Sequence, residues 1–113
     1  MTTRFDVYAV GNALVDLEYR VEDSFLQAQG IEKGVMTLAE ADAQARLLSA
    51  LDSQHTREKQ ASGGSAANSI IAASAFGSRC FYSCKVAADS LGDFYRSDLI
   101  AAGVSTNLQE QRP

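Results

Sequence analysis

The chain has 113 residues, of which 46% are hydrophobic and 21% charged, the balance of a single soluble globular domain rather than of a disordered segment. Its 14 acidic residues outnumber the 10 basic ones, which gives a net charge of −4, and the basic residues form no cluster. This balance argues against attraction to phosphate backbones or to an anionic membrane surface. We therefore expect neither nucleic acid nor a membrane as a partner.

The first half of the chain is predicted to contain strands and one longer helix. Alternating side chains predict a strand from Phe5 to Val10, ended by a turn, and a second strand over 15–22 with one covered face. Residues 23–33 predict a short helical turn that closes at Gly30, and 34–38 a further short strand.

A capping-box spacing marks the start of the longer helix. Thr37-Leu38-Ala39-Glu40 fits that motif, so Thr37 is the predicted N-cap. The apolar face expected for this helix is Ala43, Leu47, Leu48 and Leu51. The polar residues 52–62 predict the helix end and a loop, and a short strand around Gln60-Ala61 stays open.

The second half alternates helices and strands more regularly. A helix is predicted from Ser65 to Phe76 with Gly77 as its stop, then a strand over 80–86, a helix over 90–102 and a strand from Val104. Such alternation is typical of an α/β fold with parallel strand pairs.

A pair of glycines precedes the first of these later helices. Gly63-Gly64 permits positive φ and a close approach of the backbone to a ligand, and the following helix N-terminus offers unpaired N–H groups. Asn68 lies one turn into the helix, and its amide suits a hydroxyl-rich ligand because it both donates and accepts. The alternative is a turn that only caps the helix, and the glycines alone do not decide between the two.

Two polar residues follow the first predicted strand. Asn12 and Asp16 would flank the end of that strand, which is where ligands bind in α/β sheets, and a carboxylate there can accept two vicinal hydroxyls. The alternative is that both residues only form turns.

Three motifs in a fixed order carry a family resemblance. Gly11-Asn12-x-x-x-Asp16, Gly63-Gly64-Ser65-x-x-Asn68 and Lys85-Val86-Ala87-Ala88-Asp89-Ser90-Leu91-Gly92 together resemble the N-terminal half of PfkB (ribokinase-like) carbohydrate kinases. The first two motifs are most similar to the adenosine-kinase-like branch. The resemblance implies an α/β fold, a ribokinase-like three-layer αβα (Rossmann-like) fragment with a small β lid.

The resemblance also implies a reaction and a substrate site. The reaction is an ATP- and Mg²⁺-dependent phosphorylation of a hydroxymethyl group on a nucleoside or sugar. The substrate-binding residues expected on this basis are Asn12, Asp16, Gly63, Gly64, Ser65 and Asn68. Leu14 and Leu38 are the candidates for lid contacts or for apolar contacts to a base.

The domain organisation follows from the same resemblance. Residues 1–113 are expected to be the N-terminal substrate-binding portion, with lid strands near 14–22 and 34–38, and the ATP-binding and catalytic part with its general base beyond residue 113. No catalytic residue and no metal ligand is assigned within the chain, which by itself is expected to be inactive. The resemblance leaves open whether the protein forms a homodimer through the lid strands. The alternative function is a non-catalytic α/β module that binds a sugar or nucleoside.

Cysteine content and the N-terminus bear on location. Cys80 and Cys84 are too few for a disulfide framework, and the first residues have no apolar run of the kind found in a secretory signal. We therefore expect a cytoplasmic protein.

Overall fold

The computed structural model describes residues 4–108, which divide into two compact units, one of residues 4–16 and 61–108 and the other of residues 17–60. The helices and strands of the described residues are β1 Val7–Val10, β2 Leu14–Tyr19, α1 Asp23–Ala28, α2 Ala41–Gln54, β3 Arg57–Gly63, α3 Ser65–Ala75, β4 Cys80–Ser83, α4 Ser90–Ala101 and β5 Ser105–Thr106. Within this part of the chain no helix combines the length and the apolar character that a membrane span needs.

The first unit is built on a parallel sheet. Its strand order is β1-β4-β5, with Val7 opposite Cys80 and Phe81 opposite Ser105. Helix α3 packs on β1 and β4, and α4 packs on β5. Parallel neighbours joined through helices are what the alternating sequence pattern predicted, so the α/β class is confirmed.

The core of this unit lies between the sheet and its helices. Helix α3 contributes Ala67 and Ile70, and the small side chains around them let it approach the sheet closely. The buried cluster as a whole consists of Ala67, Ile70, Cys80, Tyr82, Tyr95, Leu99 and Val104.

The second unit contains α1 and α2. Phe25 of α1 is buried and meets the His55 ring edge-on at a centroid distance of 4.9 Å. Helix α2 turns its predicted apolar face inward, and the residues of that face are half-buried: Ala43, Leu47, Leu48 and Leu51. Strands β2 and β3, which both run from one unit into the other, pair as a separate two-stranded sheet.

Several predictions for residues 14–63 are wrong. Residues 34–38 form no strand, and the strand instead lies over Arg57–Gly63, where mainly a loop was expected. The N-cap of α2 is Glu40 rather than Thr37, and its side chain makes no capping hydrogen bond. Strand β2 ends at Tyr19, so it is shorter than the predicted 15–22.

A hydrogen-bonded network explains why the polar segment at 57 is a strand. Arg57 donates to the Tyr19 hydroxyl at 2.8 Å, to Gln60 Oε1 at 2.9 Å and to the Asp52 carboxylate at 3.1 Å. The guanidinium has five donors in a fixed fork, so one side chain can connect β2, β3 and the end of α2. Tyr19 lies 38 residues from Arg57, and the spacings of three residues to Gln60 and five to Asp52 do not match the two-residue period of a strand. Local sequence patterning therefore does not predict these hydrogen bonds.

Candidate functional site

The candidate site is built around the glycine pair between β3 and α3. Gly63 lies directly beneath Asp16, and a Cβ at this position would be 2.5 Å from Asp16 Oδ2. Gly64 has φ of +102°, and its Cβ would be 3.0 Å from the backbone oxygen of Asn12. An L side chain at Gly64 would be strained at that φ and would crowd the Asn12 backbone, whereas a side chain at Gly63 would displace the Asp16 carboxylate.

The segment that covers the glycine pair carries three of the predicted residues. Asn12 and Asp16 are exposed, and Asp16 projects from the polar side of β2 while Val15 is half-buried. The Leu14 side chain, 53% exposed, comes within 3.8 Å of the Cβ position at Gly64. A carboxylate and an apolar side chain therefore flank the same backbone turn.

The first turn of α3 provides the other predicted residues. Ser65 and Asn68 are exposed there, and the Asn68 N–H donates to the Gly64 oxygen at 2.9 Å to begin the helix. Gly64 is the N-cap and has no side chain with which to cap the N–H groups of residues 65–67 in the first turn of α3. Those groups are consequently available to oxygen atoms of a ligand.

Leu38 belongs to the second unit. It is 90% exposed in the segment before α2, where it lines a groove together with Ile31, Val35 and Leu47. The other seven predicted residues, by contrast, all lie in the first unit: Asn12, Leu14, Asp16, Gly63, Gly64, Ser65 and Asn68.

Two buried tyrosines behind the turn were not predicted as site residues. The Tyr82 hydroxyl donates to the Asn12 oxygen at 3.2 Å, and the Tyr95 hydroxyl donates to the Gly63 oxygen at 3.3 Å. Burial raises the pKa of Tyr95 above its ordinary value, and the neighbouring Tyr82 hydroxyl raises it further, so Tyr95 stays a neutral donor. In the sequence both tyrosines look like ordinary core residues, because their partners lie 70 and 32 residues away.

A carboxylate on α4 holds the residue before the glycine pair. Asp98 Oδ2 accepts a hydrogen bond from the Ser62 N–H at 3.2 Å and a second, short one from the Ser62 hydroxyl. Ser62 is buried, so this pairing satisfies polar groups that would otherwise lose water without compensation. Tyr95 and Asp98 are three residues apart and act from one face of α4. The pairing of Asp98 with Ser62 was not predicted from the sequence either.

Residues 4–108 contain no group of three or more His, Cys, Asp or Glu side chains arranged to hold a metal ion. The two thiols, Cys80 and Cys84, are both free. Burial raises the pKa of the Cys84 thiol, which therefore has little of the thiolate character that a nucleophile or a metal ligand needs. The chemistry that these residues offer is recognition of a polar ligand through a carboxylate, backbone N–H groups and an amide.

Comparison with known families gives a match over nearly the whole chain. Residues 6–113 match the family described as pfkB family carbohydrate kinase. A probable sugar kinase from Rhizobium etli CFN 42 is 40% identical with a TM-score of 0.70, and the match covers 97% of this chain and 32% of the other. The adenosine kinase from Sinorhizobium meliloti is 41% identical with a TM-score of 0.69, with coverage of 95% and 32%.

A more distant match shows the same fold. The adenosine kinase from Schistosoma mansoni, solved with adenosine and AMP, is 21% identical with a TM-score of 0.74, over 95% of this chain and 33% of the other. The chain thus spans about a third of the length of these structures. A comparison with curated protein sequences gave no match. The predicted ribokinase-like fold and the predicted family resemblance are both confirmed.

Proposed function

Because the chain belongs to the pfkB family of carbohydrate kinases, we propose that it supplies the substrate-binding part of an enzyme that transfers a phosphoryl group from ATP to a hydroxymethyl group of a nucleoside or sugar. The observation that carries this proposal is the packing of the Asp16 carboxylate against Gly63, at the N-terminal end of α3. Acceptors and donors for hydroxyl groups stand side by side there.

Each polar group of the site has a role in the proposal. The Asp16 carboxylate accepts hydrogen bonds from two vicinal hydroxyls, and the Gly64 and Ser65 backbone N–H groups donate to hydroxyl oxygens. The Asn68 amide does both. Asn12 and Gly63 form the wall between them. A carboxylate repels phosphate, so this wall suits the neutral hydroxyls of a polyol rather than a phosphorylated end of the substrate.

Among polyols, a nucleoside has support from an apolar neighbour. Leu14 lies beside Gly64 with about half of its side chain exposed, and it offers an apolar contact to a base next to the groups that hold a ribose. Leu38 is a second such candidate in the second unit. The adenosine kinase that is 41% identical to this chain supports the same choice.

The proposal also assigns the domain organisation, the lid and the sites for ATP and Mg²⁺. We assign residues 1–113 to the N-terminal substrate-binding portion, the sheet of β2 and β3 to a small lid, and the ATP and Mg²⁺ sites and the general base to positions beyond residue 113. Residues 4–108 contain no group of three or more His, Cys, Asp or Glu side chains that could hold a metal ion, so none of them is given a metal-binding role. A cytoplasmic location and a homodimer paired through lid strands complete the proposal.

An assay of the complete gene product with ATP, Mg²⁺ and a panel of nucleosides and sugars tests this function. We expect phosphorylation of at least one of them, with adenosine tested first. Asp16→Asn should raise KM for that substrate roughly 10- to 100-fold, since a hydrogen bond to a charged group contributes roughly 1.5–3 kcal/mol.

The matched control is Asp93→Asn, which makes the same change at an exposed position in the first turn of α4. Its KM should equal that of the unaltered protein. If no member of the panel is phosphorylated, the kinase proposal is wrong. Binding of adenosine without phosphorylation, sensitive to Asp16→Asn, would instead indicate the non-catalytic binding module.

A further inference from the structure

Two fully buried tyrosines hold the two backbone segments that make the candidate site. Tyr82 comes from β4 and Tyr95 from α4, and each is 0% exposed. The hydroxyl of Tyr82 donates to the Asn12 oxygen at 3.2 Å, and that of Tyr95 to the Gly63 oxygen at 3.3 Å. One tyrosine therefore holds the segment after β1, and the other holds the turn after β3.

The carbonyls that these tyrosines hold lie at the contact between the segments. The Asn12 oxygen is the atom that a Cβ at Gly64 would meet at 3.0 Å, and Gly63 is the residue on which the Asp16 carboxylate rests. Movement of either carbonyl changes the spacing between the carboxylate and the first N–H groups of α3. This spacing decides whether both can bind one substrate at the same time.

The closeness of Tyr82 to the backbone also explains a glycine upstream. A Cβ at Gly11 would lie 2.6 Å from the Tyr82 hydroxyl and 2.8 Å from the Ala66 side chain. The hydroxyl thus occupies the space where a side chain would be and directs its proton to the next carbonyl. A tyrosine used only to fill the core would not need its hydroxyl beneath a glycine.

We propose that Tyr82 and Tyr95 are positioning residues, which set the distance between the Asp16 carboxylate and the N-terminus of α3 by fixing the Asn12 and Gly63 carbonyls. The consequence for substrate rests on the proposed function, whereas the effect on the backbone does not. Neither tyrosine touches the substrate. Asp98, which accepts from the Ser62 N–H, supports the same turn from the same helix as Tyr95.

Removal of single hydroxyl groups tests this inference. Tyr82→Phe and Tyr95→Phe keep the buried rings and delete only the donors, and Tyr8→Phe is the matched control because Tyr8 is 61% exposed on β1 and its ring stacks on Phe81. In the complete gene product, each buried variant should raise KM for the hydroxyl substrate roughly 3- to 10-fold, the net effect of one hydrogen bond. KM for ATP should stay unchanged, and the control should change neither.

A second measurement does not depend on catalysis. In the ligand-free protein, the amide resonances of Gly63 and Gly64 should shift and their hydrogen exchange should accelerate in Tyr95→Phe, but not in Tyr8→Phe. If these amides are unchanged in both buried variants, or if KM rises equally for substrate and ATP, the positioning role is refuted. Shifted amides in a protein that phosphorylates nothing would uphold the positioning role while the proposed function fails.

Discussion

Gly63 and Gly64 are neighbours in the chain, yet each excludes a side chain for a different physical reason. Gly63 has no positive φ, and its restriction comes from the Asp16 carboxylate at 2.5 Å from the Cβ position, which is the mobile end of an exposed side chain. Gly64 has φ of +102° and faces the Asn12 backbone oxygen, which cannot move aside alone. The two positions should therefore respond differently to the same substitution.

We predict that Gly63→Ala weakens substrate binding but has little effect on folding stability. By contrast, we predict that Gly64→Ala weakens both. In Gly63→Ala the carboxylate rotates into water, so the unfolding free energy changes little while affinity for the hydroxyl substrate falls roughly tenfold or more. In Gly64→Ala, backbone strain costs roughly 1–3 kcal/mol. Urea unfolding and calorimetric titration measure the two effects separately.

Gly77→Ala is the control for the stability lost when an alanine is placed at a positive φ. Gly77 has φ of +99°, nearly the value at Gly64, but no atom lies within 4 Å of its Cβ position. The stability lost in Gly64→Ala beyond that lost in Gly77→Ala reports the contact with Asn12 together with the extended ψ of 143° at Gly64. Equal losses of stability at the two positions would show that this contact does not contribute to stability. Unchanged substrate affinity in Gly63→Ala would show that binding does not depend on the position of the Asp16 carboxylate.

At the scale of elements, sequence patterning predicted those helices and strands whose signals are local. Helix α3 has a glycine pair before it and Gly77 after it, and its observed bounds, Ser65–Ala75, differ by one residue from the predicted ones. Helix α4 begins at Ser90 as predicted, with Asp89 as an N-cap that accepts from the Gly92 N–H at 2.8 Å. Each of these signals lies within four residues of the helix end it specifies.

The elements that patterning missed depend on distant partners. Strand β3 begins with the polar residues 57–60, of which Arg57 and Gln60 are joined in the network around Arg57, and no local alternation predicts this strand. The sequence predicts a short strand over 34–38, but none forms there, and Val35, Met36 and Leu38 are exposed. The same limit applied to the site, where the motifs predicted Asp16 and the glycine pair but not Tyr82 and Tyr95.

The start of α2 gives a prediction at this scale. Glu40 is its N-cap with an extended backbone, but its side chain makes no capping hydrogen bond. Glu40→Asp keeps the charge and shortens the side chain to one that caps well, so the unfolding free energy should rise by about 0.5–1 kcal/mol. Thermal or urea unfolding of the chain measures this gain.

Thr37→Ala is the comparison that decides between the two possible starts of this helix. Since Thr37 lies four residues before α2, its substitution should change the unfolding free energy by less than about 0.5 kcal/mol. The opposite pattern, a loss of about 1 kcal/mol in Thr37→Ala with no gain in Glu40→Asp, would show that the capping box predicted from sequence is the real one.

At the scale of the whole molecule, the first strand has an unusual surface. Strand β1 stands at one edge of the order β1-β4-β5 found in the described residues. The large apolar residues on or beside it are 36–72% exposed: Phe5, Val7, Tyr8 and Val10. An exposed apolar edge strand offers both backbone hydrogen-bonding groups and hydrophobic area to another chain. Strand β1 therefore offers a surface for self-association of the 113-residue chain.

We predict that the 113-residue chain associates with rising concentration and that Val10→Lys suppresses this, because a charged side chain on an edge strand opposes pairing with a second edge. Phe76→Lys is the control, since Phe76 is 90% exposed but caps the end of α3 rather than lying on a strand. Sedimentation velocity across a concentration series measures the effect. Association that persists in Val10→Lys would indicate that the chains associate through the strands of the proposed lid rather than through β1. An unaltered chain that stays monomeric at every concentration would contradict the prediction.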